Sequence, residues 1–170
     1  VGIVIAAEKF TNMVFQPWMG RLSDRYGRAL FVFVGGGAYG LIALAVPFAD
    51  VLGSWLGLGA FAAGPLGVLP VALPVIVVLN GLLGLADSSR EPASMALFAD
   101  EGKGTGITSS FGIRSLAWRP GALAAPLAGG WLMDQIGIEW VFFLAGGAAV
   151  SGALTFLAVL SYTNGRKALT

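Results

Sequence analysis

The chain is expected to fold as an all-α membrane protein of five spanning helices, and three features of the sequence lead there. Hydrophobic residues make up 56% of its positions and charged ones 11%, against about 25% charged in ordinary soluble domains, so a water-soluble fold of this length could not bury its apolar surface. Five apolar stretches, at 1–19, 29–48, 74–99, 105–133 and 140–162, are each long enough to cross a hydrocarbon core of roughly 30 Å. Lysine and arginine gather at alternate breaks: Arg21, Arg25 and Arg28 at the first, Lys103 at the third, Arg166 and Lys167 in the tail. The breaks at 51–70 and 134–139 hold none, which puts the first set on the cytoplasmic side and the second outside.

The first span holds Glu8, Lys9, Asn12 and Gln16. Helical spacing sets Glu8, Asn12 and Gln16 one turn apart on a single polar stripe. Lipid cannot satisfy such a stripe, so it should face protein or a water-filled cavity, with Lys9 paired to a neighbouring helix. The second span carries no charge, and Gly36 and Gly40 have the spacing that lets helix backbones approach closely. Pro47 and Asp50 are expected to end it. The stretch 51–70 is broken by five glycines and two prolines, and reads as a long external loop with Trp55 and Phe61 in the interface, with a short extension of the preceding helix as a further option. The third span is longer than a perpendicular crossing needs and contains Asn80, Asp87, Arg90 and Glu91, with Pro92 as the place for a kink. Residues 100–104 read as a tight polar turn. The fourth span contains Arg114, Trp118, Arg119 and Pro120, and a short turn at 134–139 leads into the fifth.

Composition also excludes. The chain has no cysteine and no histidine, which removes disulfides, thiol nucleophiles, histidine bases and histidine-ligated metals. A net charge of +1 offers no electrostatic footprint for nucleic acid. There is no glycine-rich loop ending in Gly-Lys-Ser/Thr, so direct use of ATP is not expected. No cofactor is expected either. Twenty-six glycines fit close helix packing. The start at Val1, with no basic region ahead of the first apolar run, does not read as a signal peptide, and the chain is expected to be a single partial transmembrane domain, 1–170, of something longer.

The break between the first two spans reads Gly20-Arg21-Leu22-Ser23-Asp24-Arg25-Tyr26-Gly27-Arg28. It resembles the loop signature of the major facilitator superfamily, Gly-x-Leu-(small)-Asp-(basic)-x-Gly-(basic)-(basic), at Gly20, Leu22, Asp24, Arg25, Gly27 and Arg28, with Ala29 in place of the final basic residue. A generic basic turn would explain the arginines but not an acid among them between two glycines. In the fourth span, Gly121, Ala125, Pro126, Gly129 and Gly130 resemble the helix-packing signature of that superfamily's antiporters, Gly-x-x-x-Gly-Pro-x-x-Gly-Gly, with Ala125 replacing the middle glycine. Small residues and a proline also occur in any tightly packed membrane helix.

The resemblance implies two six-helix halves with the substrate held between them near the bilayer midplane. The chain would supply five helices of one half, either two to six or eight to twelve. Val77 stands where the first half usually has an arginine three residues before the pair here occupied by Asn80-Gly81, and the chain stops soon after its last span. Both favour the second half, while the antiporter-like pattern belongs to the first.

The function implied is secondary active transport of a small solute in the plasma membrane, multi-pass, proton-coupled, with export of a drug-like or amphipathic compound as the subclass. The partners implied are that substrate, protons, the lipid bilayer and the remaining helices of the transporter. A membrane-embedded enzyme and a non-transporting packing module are the rival readings. Asp24 is implied to latch neighbouring helices on the cytoplasmic side, with Arg25 and Arg28 as local partners. For the proton or substrate site, Glu8, Asp87 and Arg119 are placed by axial rise at nearly one depth, about 18 to 21 Å from their cytoplasmic boundaries. Charges there cost about 2.5 to 3.5 kcal/mol or more unless paired or facing a cavity. The candidate set is Glu8, Asn12, Gln16, Asp87, Arg90 and Arg119, with Glu8 as the first choice for the proton-carrying carboxylate and an Asp87–Arg90 pair as the plain structural alternative.

Overall fold

A computed structural model describes residues 2–62 and 68–164. Five long helices make up nearly all of it: α1 (Gly2–Tyr26), α2 (Arg28–Ala45), α4 (Ala72–Thr105), α5 (Ile107–Gln135) and α6 (Ile138–Asn164). Between α2 and α4 lie a 3-10 turn (Val46–Phe48), the two-turn helix α3 (Ala49–Trp55), and a hairpin of β1 (Phe61–Ala62) with β2 (Val68–Leu69), paired antiparallel with Phe61 opposite Leu69. Three stretches, Arg28–Trp55, Ala72–Asp100 and Ile138–Thr163, are long and apolar enough to cross a membrane by length and composition. The α1 and α5 helices are equally long but more polar, because they carry the Glu8 to Gln16 stripe and Arg114 with Arg119.

The helix ends differ from the sequence expectation in one consistent way. The segment 20–28 is not a loop: α1 continues through Gly20, Leu22, Asp24 and Arg25 to Tyr26, and only Gly27, at φ 108°, breaks it. Residues 100–104 are not a turn either, since α4 runs to Thr105 and Gly106, at φ 101°, breaks it. The last connection shrinks to Ile136 and Gly137, the latter at φ 124°. Charge marks where a chain can leave lipid, but nothing in Arg21 to Arg25 disfavours helix, and Arg25 in the last turn complements the helix dipole. The stop requires a residue that adopts positive φ freely, which glycine does. In the 51–70 stretch, the first residues are also helical: Pro47 sits at the start of the 3-10 turn, where its missing N–H costs nothing, and the helix resumes through Asp50 to Trp55. Trp55 is exposed, as expected; the side chain of Phe61 and residues 63–67 lie outside the described residues. Pro92 lies within α4, which is helical on both sides of it.

Helix α4 is the hub. It packs against α1, α2, α3 and α5, whereas α1 and α2, though joined by one residue, touch only briefly. Their divergence leaves an apolar cleft of about 430 Å³ between Met19 and Leu22 of α1 and Phe31 and Val34 of α2, with Leu82 and Leu85 of α4 beneath. Close approaches use small residues. A Cβ on Gly84 of α4 would collide with the backbone carbonyl of Glu8, and one on Gly35 of α2 would meet Ala86 O of α4 at 2.9 Å. Gly36 and Gly40 pack against Ala153 and Val150 of α6, which gives their spacing the packing role expected of it. At the far end of the same antiparallel pair, the Phe48 and Phe143 rings meet edge to face, 5.9 Å apart.

Candidate functional site

Two clusters of polar side chains interrupt this apolar packing. The first ties the α1–α2 turn to α4. Arg28 Nε donates to Asp24 Oδ1 at 2.8 Å, and its Nη1 donates to the Asp100 carboxylate and to Ala96 O at 3.5 Å. Lys103 Nζ donates to the other Asp100 oxygen at 2.7 Å. A chain of alternating charges thus runs Asp24, Arg28, Asp100, Lys103 across three helices, α1, α2 and α4, and it places the turns at Gly27 and Gly106 at one end of the bundle. Arg25, expected as a partner for Asp24, stacks instead over the Tyr26 ring at 5.5 Å. Position decides this: the Gly27 break brings Arg28, the first residue of α2, to the Asp24 carboxylate in the last turn of α1, whereas Arg25 is the immediate neighbour of Asp24 on that helix. Gly20 lies 3.8 Å from Pro92 Cβ, measured from a built Cβ, and Leu22 lines the apolar cleft.

The second cluster lies deeper. Asp87 is held from two helices: Asn12 Nδ2 of α1 donates to Oδ2 at 3.1 Å and Arg90 Nη2 of α4 donates to Oδ1 at 2.5 Å. The Arg90 guanidinium in turn stacks over the Tyr39 ring of α2 at 5.4 Å. One carboxylate therefore links α1 to α4, and through Arg90 to α2. The Asp87 side chain is 18% exposed. Glu8 lies beside this cluster but its carboxylate is engaged by its own neighbour, Lys9, at 2.9 Å, so Lys9 does not reach another helix. Gln16 is half-buried one turn beyond Asn12.

Measured along the helix axes from the charged ends at Tyr26 and Thr105, Glu8 and Asp87 are level, at about 27 Å each. Arg119 is not: it lies about 18 Å from the start of α5, is exposed, and lines a separate recess with Phe111, Ser115 and Leu116. Counting from Gly20 and Asp100 set Glu8 and Asp87 too near their helix ends, because α1 runs on to Tyr26 and α4 to Thr105; the distance for Arg119 changes little, since α5 starts at Ile107. The arginine that α5 does bring toward the cluster is Arg114, whose guanidinium lies 6.0 Å from the Phe98 ring centre. Arg114 and Trp118 form one wall of a groove of about 430 Å³; Asp87, Arg90, Glu91 and Met95 of α4 form its floor, and Val32 of α2 its far side. Tyr39 was missed by sequence reasoning: it is the one aromatic in the apolar α2 with a polar tip, and only the packing of α2 against α4 gives it a cation to meet.

The glycine-rich pattern of α5 is used sparingly within the five helices. Gly129 is buried, 3.8 Å from Val141 of α6, whereas Gly121, Ala125, Pro126 and Gly130 are exposed among the described residues.

Comparisons with curated proteins and with solved structures gave no significant match. The family model described as Major Facilitator Superfamily matches residues 1–169, a family of membrane transporters for small molecules, and not of enzymes. Its span covers all five long helices and both polar clusters. With the helical membrane architecture and the charged turn at Gly27 already in place, that match settles the assignment: the chain belongs to the major facilitator superfamily.

Proposed function

We propose that the chain forms part of a proton-coupled secondary transporter of the plasma membrane that exports a small amphipathic compound, and that Asp87 is the carboxylate that exchanges the proton. The observation carrying this reading is the double engagement of Asp87 by Asn12 and Arg90. A proton arriving on Asp87 removes the charge that holds Arg90. The freed guanidinium keeps its place over Tyr39 or turns to a substrate, and the α1–α4 link through Asn12 weakens. One binding event is thereby coupled to a change in helix contacts, which is what gradient-driven transport needs. Glu8, the first choice on sequence, is less suited: its protonation would free only the exposed Lys9 and alter no contact between helices. The second half of the transporter remains the favoured placement, on the grounds of Val77 and the Asn80-Gly81 pair.

In the full-length transporter reconstituted in vesicles, Asp87→Asn should abolish accumulation driven by a proton gradient and leave substrate exchange measurable. Glu8→Gln should reduce gradient-driven transport by no more than about fivefold, the factor that corresponds to the upper end of the roughly 0 to 1 kcal/mol of a pair with an exposed lysine, since it breaks only the bond to Lys9 on the same helix. Full gradient-driven transport by Asp87→Asn would assign the pair with Arg90 a purely structural role.

A further inference from the structure

The groove between α4 and α5 holds two acids and two bases, and only half of them satisfy one another. Asp87 and Arg90 are paired at 2.5 Å. Glu91 and Arg114, both half-buried and both lining the groove, have no ion-pair partner among the described residues. Nor can their own helices provide one. The positions one turn either side of Glu91 are Asp87, Ser88, Ser94 and Met95, and those around Arg114 are Ser110, Phe111, Ala117 and Trp118. The two charges are thus brought to a common groove by the packing of α5 on α4, without meeting each other. Val32, Met95 and Trp118 supply the apolar part of the lining.

We propose that this groove binds a zwitterionic amphipathic ligand, its cationic group on Glu91, its anionic group on Arg114 and its apolar body against Trp118, Met95 and Val32. A simple cation would leave Arg114 uncompensated in a membrane-embedded groove, and a simple anion would leave Glu91 so. One ligand bearing both charges satisfies both ends at once. Trp118 suits the role, since its ring offers a broad face to an apolar or cationic group. The inference names a substrate class for the transport reading above and rests on that reading for its purpose, but not for its test.

The test is binding to the purified full-length protein in lipid nanodiscs, with no gradient present. Five phenyl-bearing probes differ in charge alone or in charge spacing: phenylalanine and phenylalanylglycine as zwitterions, phenethylamine as cation, 3-phenylpropionate as anion and 3-phenylpropanol as neutral. At least one zwitterion should bind about tenfold more tightly than any other probe. Glu91→Gln should shift preference toward the anion and Arg114→Gln toward the cation, a crossed response that a merely structural pair would not give. Glu91→Asp and Arg114→Lys, which keep the charges, should retain the zwitterion preference if the neutral variants fail to fold. No zwitterion preference in the wild-type protein, or loss of binding without the crossed shift, would overturn the proposal; the second result would point to side chains of further helices as the partners of Glu91 and Arg114. Intact zwitterion binding with no gradient-driven transport would sink the coupling reading and leave this one standing.

Discussion

Helix α4 meets its neighbours in two different ways. Against α1 and α2 it is locked: Gly84 lies on the Glu8 backbone, Gly35 on the Ala86 carbonyl, and the Asn12–Asp87 and Arg28–Asp100 bonds bridge the seams. Against α5 it is joined by the Gly106 turn and by the Arg114–Phe98 contact, and beyond these the two helices part around a polar groove. The small residues of α5 are spread along a face that the other described helices leave open. Glycine thus means different things in the two regions. In α4 and α2 it permits a contact that is present. In α5, at Gly121 and Gly130, it fits a contact that needs helices outside these five. A locked side and a loose side are what a moving half-transporter requires, because a part that rocks must be rigid within itself and free at the surface where it works.

The largest effect is expected where the lock is tightest. A methyl group on Gly84 would overlap the Glu8 carbonyl, whose carbon lies 2.9 Å from the built Cβ. Backbone cannot swing aside as a side chain can, so α1 must shift, at about 1 to 3 kcal/mol for an overpacked site. The better helix propensity of alanine offsets only about 0.5 to 1 kcal/mol of this. Gly84→Ala should therefore lower the midpoint of thermal unfolding of the purified protein, while Gly121→Ala, with open space around it among the described residues, should not lower the stability of the five-helix packing. Equal destabilisation by the two would erase the distinction between the sides.

The Asp24–Arg28–Asp100 chain tests whether the lock is also a switch. Both carboxylates are well exposed, at 59% for Asp24 and 44% for Asp100. Pairs this accessible contribute only about 0 to 1 kcal/mol to stability. Asp24→Asn should thus leave the unfolding midpoint nearly unchanged, yet impair transport, because it cuts the end of α1 out of a charge chain that Arg28 continues to Asp100 and Ala96 O of α4. Unimpaired transport would reduce the chain to a surface ion pair.

Much of this comparison was legible before any coordinates. Composition and hydropathy were enough for five long helices in an all-α membrane fold, and Gly36 with Gly40 announced a packing face. Helix ends were harder to read. The segments 20–28 and 100–104 look like loops because they are charged, but charge reports on solvent and only Gly27 and Gly106 report on backbone. The site was half legible. Asp87 with Arg90 follows from i,i+3 spacing on one helix, whereas Asn12 with Asp87, or Arg90 with Tyr39, requires knowing that α1 and α2 flank α4 instead of each other. Arg119 was set level with Glu8 and Asp87 because those two were counted from Gly20 and Asp100, short of where α1 and α4 end, and it is Arg114 that lines the groove with Asp87.

The smallest effect gives the sharpest test of how locally the lock is built. Gly36 and Gly40 are one turn apart on α2 and face the same partner, α6. A Cβ on Gly36 would meet the Ala153 Cβ and Arg90 Cδ at 3.6 Å each, ordinary contact distances. A Cβ on Gly40 would meet Val150 Cγ2 at 2.7 Å and the Gly146 carbonyl oxygen at 2.9 Å, where something must move. At Gly36 the gain in helix propensity, about 0.5 to 1 kcal/mol, comes with added contacts and no displacement. At Gly40 the same gain is outweighed by overpacking of about 1 to 3 kcal/mol. Gly36→Ala should raise the unfolding midpoint slightly and Gly40→Ala should lower it, so one substitution at two adjacent turns reverses sign. If both lower it by similar amounts, α2 and α6 are packed as closely at Gly36 as at Gly40, and the lock extends one turn further toward the Arg28 end than the contact distances allow.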